Sequence, residues 1–346
     1  MKEVFYLKDN STNYIQRFLG ENAIIICCIA LLLIMSCINP KIIEGNNLLL
    51  ILKQCSSIGC VAVALTMVLI SGNWDLSVGS MVSLLAILFV KFTNLFSGYV
   101  DSNLAPILAI FIVIVFSIIL SSINGLMVGY ARLNSMIVTL GTMICYQAIT
   151  YLVTGSKETV SNDKTWFFNI ASSSIAGIPI YTYLFIFFVA ILVFVLKKTE
   201  TGRKIKMVGG GWEASRMSGI NPKKTILSAY IWVGIASVIT ALILVAKQVT
   251  VNGNVGAGYE MDAVSAVIIG GTSIVGGKGS AFKTFIAIYI QTALFNGFTI
   301  LGLSYYVQYI AQGIIILAVV IGTSIGEKGI SFHKNSKAVI KNEKTA

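Results

Sequence analysis

The fold is decided by residues 48–96, which read LLLILKQCSSIGCVAVALTMVLISGNWDLSVGSMVSLLAILFVKFTNLF. Two apolar runs, residues 48–70 and 78–96, flank a polar break that contains Asp75. Each run has about the 20 residues that a helix needs to cross the hydrocarbon of a membrane. Because a backbone in lipid must satisfy its own hydrogen bonds, the stretch predicts two membrane-spanning helices joined by a polar turn.

The composition of the whole chain agrees with this interpretation. Of the 346 residues, 56% are hydrophobic and 11% are charged, and the mean hydropathy is +0.85. A soluble domain is typically about 45–50% apolar and about 25% charged. A water-exposed shell would need far more charge, so the composition predicts a polytopic membrane protein.

Ten apolar runs of this kind occur along the chain. They cover residues 22–38, 48–70, 78–96, 104–130, 136–153, 180–196, 225–246, 263–275, 281–301 and 305–325. The expected fold class is therefore an all-α membrane protein, a polytopic bundle of about ten transmembrane helices. The eighth run is short and rich in glycine, so that it either spans the membrane or re-enters it. The first run is expected to remain as a spanning helix, because no small-residue cleavage pattern follows it.

The basic residues predict the orientation of the chain. If all ten runs cross and the N-terminus is inside, most of the 25 Lys and Arg residues fall on the cytosolic side, as the positive-inside rule requires. We therefore expect a multi-pass protein of the plasma (inner) membrane with both termini in the cytosol. Its parts are a cytosolic segment 1–21, a transmembrane domain 22–326 with a cytosolic loop at about 197–224, and a basic cytosolic tail 327–346. Anionic headgroups explain the net charge of +11, and a nucleic-acid partner is not required.

Catalytic and metal-binding residues are not expected. The six cysteines lie in apolar runs without CxxC spacing, and the single histidine, His333, lies in the basic tail. These facts argue against a zinc site, a disulfide framework and His-based catalysis. The order GGKGS at residues 276–280 resembles a phosphate loop superficially, but it lacks the GxxxxGK[ST] pattern and a preceding strand.

A short helix is predicted in the large basic loop. Three glycines, an Ala-containing amphipathic stretch and a closing Gly219 indicate a hinge, a two-turn helix and its C-terminal cap. Such a helix either docks into a partner or lies at the headgroups without a partner. The candidate docking residues are Gly211, Trp212, Glu213, Ala214, Ser215, Arg216 and Gly219.

Polar residues in apolar surroundings are candidates for a solute path or gate. Asp75 either caps the helix that follows it or binds an ion or solute. The remaining candidates are neutral, and each either lines a path for an uncharged, hydroxyl-rich solute or bridges two helices. The full set is Asn73, Asp75, Asn124, Thr139, Thr142, Gln147, Gln291 and Asn296.

A glycine-rich segment is the candidate moving part. Unwound backbone at membrane depth survives only where protein or a water-filled path covers it. The predicted hinge residues are Gly270, Gly271, Gly276 and Gly277.

Six ordered blocks across residues 48–325 resemble one family, the ribose-type permeases of ABC sugar importers. This family also covers xylose, arabinose and galactoside permeases and has nucleoside-importing relatives. The matching blocks are LTM at 65–67 with ISG at 70–72, DLSVGS at 75–80, NGL at 124–126, TLGT at 139–142, EA at 213–214 with SGIN at 218–221, and GYE at 258–260 with GGTS at 270–273.

The resemblance implies a type II-like ten-helix importer fold and a complex with several partners. These are cytosolic ATPase subunits that carry ATP and Mg, an extracytoplasmic solute-binding protein, and a second permease copy or paralogue, with no cofactor in this chain. It also implies that the stretch around Glu213 is the coupling helix that lies in a groove of the ATPase. Two positions depart from the family pattern: Gly211 and Trp212 replace an Asn and an acidic residue, and Asn73 and Trp74 replace a Gly-Ile pair.

The expected function is therefore that of a non-enzymatic transport subunit. It would move a small sugar-like solute inward by alternating access, driven by partner ATPases. A nucleoside importer permease of the same type and a secondary transporter remain as alternatives, although only Asp75 could serve the ion relay that the latter needs. The sequence leaves open which solute is carried and whether the permease pair is a homodimer or a heterodimer.

Overall fold

The computed structural model describes residues 25–101, 103–160, 166–167, 173–248, 250–314 and 317. The predicted cytosolic segment 1–21 and basic tail 327–346 lie outside these residues. Two units compose the chain: one is Lys41–Ala293, and the other combines Met1–Pro40 with Leu294–Ala346.

Helices dominate the described residues. They are α1 (Ile25–Ile38), α2 (Gly45–Ile70), α3 (Val78–Phe96), α4 (Ala105–Gly129), α5 (Ser135–Thr154), α6 (Ile180–Lys198), α7 (Glu200–Gly210), α8 (Trp212–Met217), α9 (Pro222–Lys247), α10 (Tyr259–Ile269) and α11 (Ala281–Ile300). A 3₁₀ turn covers Pro40–Ile43, and residues 305–314 are again helical.

Six of the helices are long and apolar enough to cross a membrane, by length and composition among the described residues. They are α2, α3, α4, α5, α6 and α9. The prediction of a helical membrane protein is confirmed, and most predicted runs agree with helix bounds to within three residues. The count of ten crossings stays a prediction.

The predicted run 263–275 is helical only in its first half. Helix α10 is 11 residues long and ends at Ile269, directly before Gly270, and residues 271–280 are irregular. A helix of 11 residues is about 16 Å long, roughly half of the hydrocarbon thickness. The chain therefore does not cross the membrane at this point as a simple helix.

Within the unit Lys41–Ala293, α9 packs on α2, α3 and α4, and α3 packs on α4 and α5. Small residues allow α4 and α9 to approach closely. A Cβ built on Gly129 would lie 2.9 Å from the Lys223 carbonyl oxygen, and the Ser117 hydroxyl donates to the Gly234 carbonyl at 2.6 Å. The core of this unit is therefore a set of closely packed helices with α2 buried along its second half.

Four short strands form two antiparallel pairs. Strand β1 (Thr159–Val160) pairs with β4 (Thr250–Val251), and β2 (Ser174–Ile175) pairs with β3 (Ile178–Pro179). The Asn94 side-chain amide donates to the Val160 carbonyl at 2.9 Å. The β1–β4 ribbon therefore lies at the C-terminal end of α3.

The other unit is described from α1, the end of α11 and residues 305–314. Leu303 donates its backbone N–H to the Phe298 carbonyl, and the Gln308 side chain donates to the Thr299 hydroxyl at 3.2 Å. These bonds form the turn between α11 and the last helical stretch.

Candidate functional site

Helix α7 is an amphipathic helix outside the six candidate spans. It begins after Thr199 and buries Gly202, Ile205 and Val208. Glu200 and Lys204 form an exposed ion pair at 2.7 Å, and the ammonium group lowers the pKa of the Glu200 carboxyl. The apolar face of α7 contacts α2, α6 and α9.

Helix α8 presents most of its short surface to the outside. Glu213, Ala214, Arg216 and Met217 are exposed, whereas Ser215 is buried and donates its hydroxyl to the Gly211 carbonyl at 2.6 Å. Gly219 follows with a φ of +77°, a conformation that favours glycine after a helix. The predicted short helix with a closing glycine is confirmed, while its docking to a partner stays a prediction.

Trp212 attaches the start of α8 to the turn between α4 and α5. The Arg132 guanidinium lies 4.5 Å from the centroid of the Trp212 ring, within the range of a cation–π contact. Arg132 itself has a φ of +56°. An open pocket of 540 Å³ lies beside this contact, and its lining includes Ser71, Asn73, Arg132, Trp212 and Glu213.

Backbones from three segments meet at four glycines, which we call the glycine junction: Gly72, Gly209, Gly276 and Gly277. Gly277 donates its N–H to the Ile70 carbonyl at 2.7 Å. A Cβ on Gly209 would lie 1.7 Å from the Ile70 oxygen, and one on Gly276 would lie 2.8 Å from the Gly72 nitrogen. The junction therefore joins the end of α2, the end of α7 and the loop after α10 without side chains between them.

The predicted hinge glycines are thus in packed surroundings. A Cβ on Gly270 would lie 2.9 Å from the Thr284 nitrogen, and Gly271, Gly276 and Gly277 all have positive φ. Their movement during transport stays a prediction.

The polar break between α2 and α3 is organised around Asp75. This side chain is fully buried, and its Oδ1 accepts hydrogen bonds from the Ser77 N–H at 3.0 Å and the Ser77 hydroxyl at 2.7 Å. The Asn124 amide donates to the same hydroxyl at 2.8 Å. Asp75 Oδ2 and Asn124 Oδ1 are buried and have no hydrogen-bond partner in the described part of the chain.

The interpretation of Asp75 as the N-cap of the following helix is wrong. Ser77 is the N-cap residue of α3, and Asp75 lies two positions earlier, where it accepts bonds from Ser77. Neighbouring helices also fix the break. The backbone N–H of Trp74 donates to the Ser135 hydroxyl at 3.0 Å, and the backbone carbonyl of Trp74 accepts from the Tyr230 hydroxyl at 2.7 Å.

Four of the other predicted path residues form hydrogen bonds within their own segment or to a neighbouring helix. Thr139 and Thr142 donate to carbonyls of their own helix, Ser135 and Thr139 respectively. Gln291 accepts from the Ser265 hydroxyl at 3.1 Å, which is a bridge between α11 and α10. Asn73 donates to Ser71, and Asn296 belongs to the other unit.

One cluster of hydrogen-bonded side chains contains a single predicted residue, Gln147, together with Tyr151 and Asn254, which the sequence did not indicate. The Asn254 Oδ1 accepts hydrogen bonds from the Tyr151 hydroxyl at 2.6 Å and from the Gln147 amide at 3.1 Å, and the Gln147 amide also donates to the Gly253 carbonyl at 2.8 Å. Asn254 lies more than 100 residues from its partners, and its only signal in the sequence is the polar run NGN at 252–254.

Glu260 is a further polar residue that was not among the predicted solute-path residues. It is partly buried in the first turn of α10, and a Cβ on Gly79 would lie 2.0 Å from its Oε2 atom. A side chain at position 79 would displace this carboxylate and would also meet the Gly256 carbonyl oxygen at 2.6 Å.

Metal coordination finds no support among the described residues, where no group of three or more His, Cys, Asp or Glu side chains comes together. Six apolar helices that are long enough to cross a membrane define the class of protein as a helical, multi-pass membrane protein.

Comparisons with known proteins give the family. The family model described as branched-chain amino acid transport system / permease component matches residues 47–320. The chain belongs to this permease family, and its resemblance to ribose-type ABC sugar importer permeases is confirmed.

Three curated relatives illustrate the similarity. The ribose import permease protein RbsC of Haemophilus influenzae is 32% identical over 319 residues, which cover 91% of this chain and 97% of the relative. RbsC of Bacillus subtilis is 32% identical over 84% of this chain and 88% of its own length. The autoinducer 2 import system permease protein LsrD of Escherichia coli O9:H4 is 31% identical over 83% and 87%, respectively. No solved structure matches the chain.

Proposed function

We propose that this chain is the membrane-spanning subunit of an ATP-driven importer, in which separate ATPase subunits supply the energy. ATP binding closes the ATPase pair, α8 moves with it, and the bundle switches its opening from the outside to the inside. ATP and Mg bind to the partner subunits. The observation that carries the proposal is the exposed face of α8, which follows α7 directly at the glycine junction.

The geometry supports a short mechanical route from α8 into the bundle. Gly209 at the end of α7 contacts the Ile70 carbonyl at the end of α2, and Ile70 is followed five residues later by Asp75. Because no side chains separate these backbones, a displacement of α7 and α8 moves the polar break between α2 and α3. Arg132 on Trp212 adds a second connection, to the turn that leads into α5.

We propose that α7 and α8 lie on the cytosolic side, with both chain termini on the same side. Residues 197–224 contain eight Lys and Arg residues, which the positive-inside rule assigns to the cytosol. The β1–β4 ribbon, at the other end of α3, then lies on the outer side, where a solute-binding protein would deliver the solute.

A small sugar-like molecule is the proposed solute. The names of the relatives refer to ribose and to autoinducer 2, while the family description refers to branched-chain amino acids. The hydrogen-bonding side chains Gln147, Tyr151 and Asn254 are uncharged, as suits hydroxyl groups and not the charged ends of an amino acid. A second copy or a paralogue completes the permease pair.

Charge reversal on α8 tests the proposal. The double variant Glu213→Lys with Ala214→Glu alters two exposed side chains and leaves the buried Ser215 in place. It should abolish co-purification with the ATPase and solute uptake, while the protein remains monodisperse in detergent. The matched control is Glu44→Lys. Glu44 is exposed and precedes α2, at the end of α2 that is farthest from the glycine junction, so this variant should retain ATPase binding and solute uptake.

Retention of ATPase binding and uptake in the double variant would show that α8 is not the docking element. Uptake that survives ATP depletion but stops with a protonophore would instead support a secondary transporter.

A further inference from the structure

Residues 252–258 run along α3 without forming a helix or a strand. Strand β4 ends at Val251, and its partner strand is bonded to Asn94 near the C-terminal end of α3. Gly256 donates its N–H to the Ser83 hydroxyl at 2.9 Å, near the N-terminal end of the same helix. Asn94 lies eleven positions after Ser83, which corresponds to about 16 Å along α3.

This irregular backbone lies at the depth of a candidate membrane span and is partly uncovered. Asn252, Asn254 and Ala257 are exposed. The backbone groups of the segment are bonded, for example Val255 N–H to the Asn252 carbonyl and Ala257 N–H to the Asn254 carbonyl, so the exposed polar groups are the side-chain amides of Asn252 and Asn254. Hydrocarbon cannot satisfy such amides, so this face of the segment lies against protein or water. Lipid is therefore excluded as the surroundings of this face.

The side chains of the segment form an ordered polar cluster, which consists of Gln147, Tyr151, Asn252 and Asn254. Asn254 Oδ1 is occupied by the Tyr151 hydroxyl and the Gln147 amide, and Asn252 Oδ1 accepts the Asn254 N–H at 2.9 Å. The Nδ2 atoms of Asn252 and Asn254 have no hydrogen-bond partner within the described residues. The Oδ1 acceptors of Asn252 and Asn254 are thus occupied within the cluster, and the amide donors of the two residues lie at an exposed surface.

We propose that the polar cluster lines the water-filled translocation path and binds an uncharged, oxygen-rich solute through the amide groups of Asn252 and Asn254. This inference rests on the proposed transport function and adds to it a contact site for the solute. Free N–H donors bind hydroxyl or carbonyl oxygens, and the lack of charge within the cluster suits a neutral solute. Tyr151 and Gln147 are positioning residues, because they fix the orientation of Asn254.

Cysteine labelling tests whether the cluster faces water, independently of the solute. The six native cysteines are replaced by alanine, and Asn252→Cys, Ala257→Cys and Ile119→Cys are made separately in the full chain with its partner subunits. A charged, water-soluble methanethiosulfonate reagent should label positions 252 and 257 at least about tenfold faster than position 119, which lies on the apolar exposed face of α4. Equal slow rates at all three positions would show that residues 252–258 face protein, such as a second copy of the chain, and would overturn the inference.

Uptake kinetics test the contact itself. Tyr151→Phe removes the hydroxyl that donates to Asn254, and Asn254→Leu removes the amide. Both should raise the apparent KM about tenfold or more, with the ATPase rate of the complex unchanged. The matched control is Tyr183→Phe on α6, which removes a hydroxyl that donates to the Ile175 carbonyl on β2 and should leave KM unchanged. A KM that stays at the wild-type value in both cluster variants would overturn the inference.

The two measurements separate the inference from the proposed function. If positions 252 and 257 are labelled but the wild-type complex takes up no neutral sugar, the solute assignment fails while the water-lined segment stands. If uptake is normal but the two positions are protected, the importer function stands and the path lies elsewhere.

Discussion

Gly277 donates its backbone N–H to the carbonyl oxygen of Ile70 at 2.7 Å, although the two residues are 207 positions apart in the chain. This bond joins the loop after α10 to the last residue of α2. Gly209, at the end of α7, packs against the same two residues. The end of α2, the loop after α10 and the segment that leads into α8 are therefore connected through backbone atoms alone.

The first prediction concerns this contact. Gly209→Ala would place a Cβ 1.7 Å from the Ile70 oxygen and 2.4 Å from the Gly277 nitrogen, both of them backbone atoms that cannot turn away. Overpacking of this kind typically costs about 1–3 kcal/mol. We expect a lower thermal unfolding midpoint in detergent and loss of uptake.

The neighbouring glycine provides the control. A Cβ on Gly210 meets no atom within 4 Å, so Gly210→Ala should retain the wild-type midpoint and uptake. Equal behaviour of the two variants would show that the close approach at Gly209 does not exist in the membrane.

The second prediction concerns Asp75. Asp75→Asn keeps an Oδ1 acceptor for the Ser77 N–H and hydroxyl, whereas Asp75→Ala leaves both groups without this partner in a buried position. Loss of buried hydrogen bonds costs about 1–3 kcal/mol, so the Ala variant should unfold at a lower temperature than the Asn variant. If Asn proves as harmful as Ala for both stability and uptake, the carboxylate is needed as such, and an ion-coupled mechanism gains support.

The helices could be predicted from the sequence because their bounds depend on local composition. The predicted run 78–96 coincides with α3, and the polar break before it was visible as SGNWDLS. In the glycine-rich region, the local pattern predicted an interruption, and α10 indeed ends directly before Gly270. The short helix α8 was predicted from its flanking glycines.

The contacts between helices could not be predicted in this way. Tyr151 and Asn254 are each unremarkable in their own segments, and their bond depends on how residues 252–258 lie against α5. Asp75 resembled a helix cap by spacing, yet Ser77 is the N-cap residue, and the distant contact at this point is the bond from the Asn124 amide to the Ser77 hydroxyl. Such tertiary choices depend on packing between distant segments, about which a local pattern carries little information.

The third prediction tests the cation–π contact of Arg132 on Trp212 without a change in the backbone conformation of the α4–α5 turn. Arg132 has a φ of +56°, a conformation that asparagine tolerates better than most residues, so Arg132→Asn should keep the turn and remove the cation–π contact. Backbone amides of α8 should then exchange faster with deuterium, by about threefold for a contact worth about 0.5–1 kcal/mol. Arg216→Gln serves as the control, since it removes only an exposed ion pair to Glu213 at 3.8 Å and should leave exchange nearly unchanged. Unchanged exchange in Arg132→Asn would mean that Trp212 holds α8 without the guanidinium.

The fourth prediction concerns the close approach of α3 to the segment that begins α10. Gly79→Ala would place a Cβ 2.0 Å from the Glu260 carboxylate and 2.6 Å from the Gly256 carbonyl oxygen. The carboxylate could move, but the carbonyl belongs to the backbone that Ser83 holds through the Gly256 N–H. We therefore expect that Glu260→Ala, which removes the clashing side chain, does not rescue Gly79→Ala, and that both the single and the double variant lose uptake. The control is Gly141→Ala on α5, where an added Cβ meets no atom within 4 Å. This variant should fold and take up solute as the wild type does. Rescue by Glu260→Ala would instead show that the side chain, and not the backbone of residues 252–258, sets the distance between α3 and the start of α10.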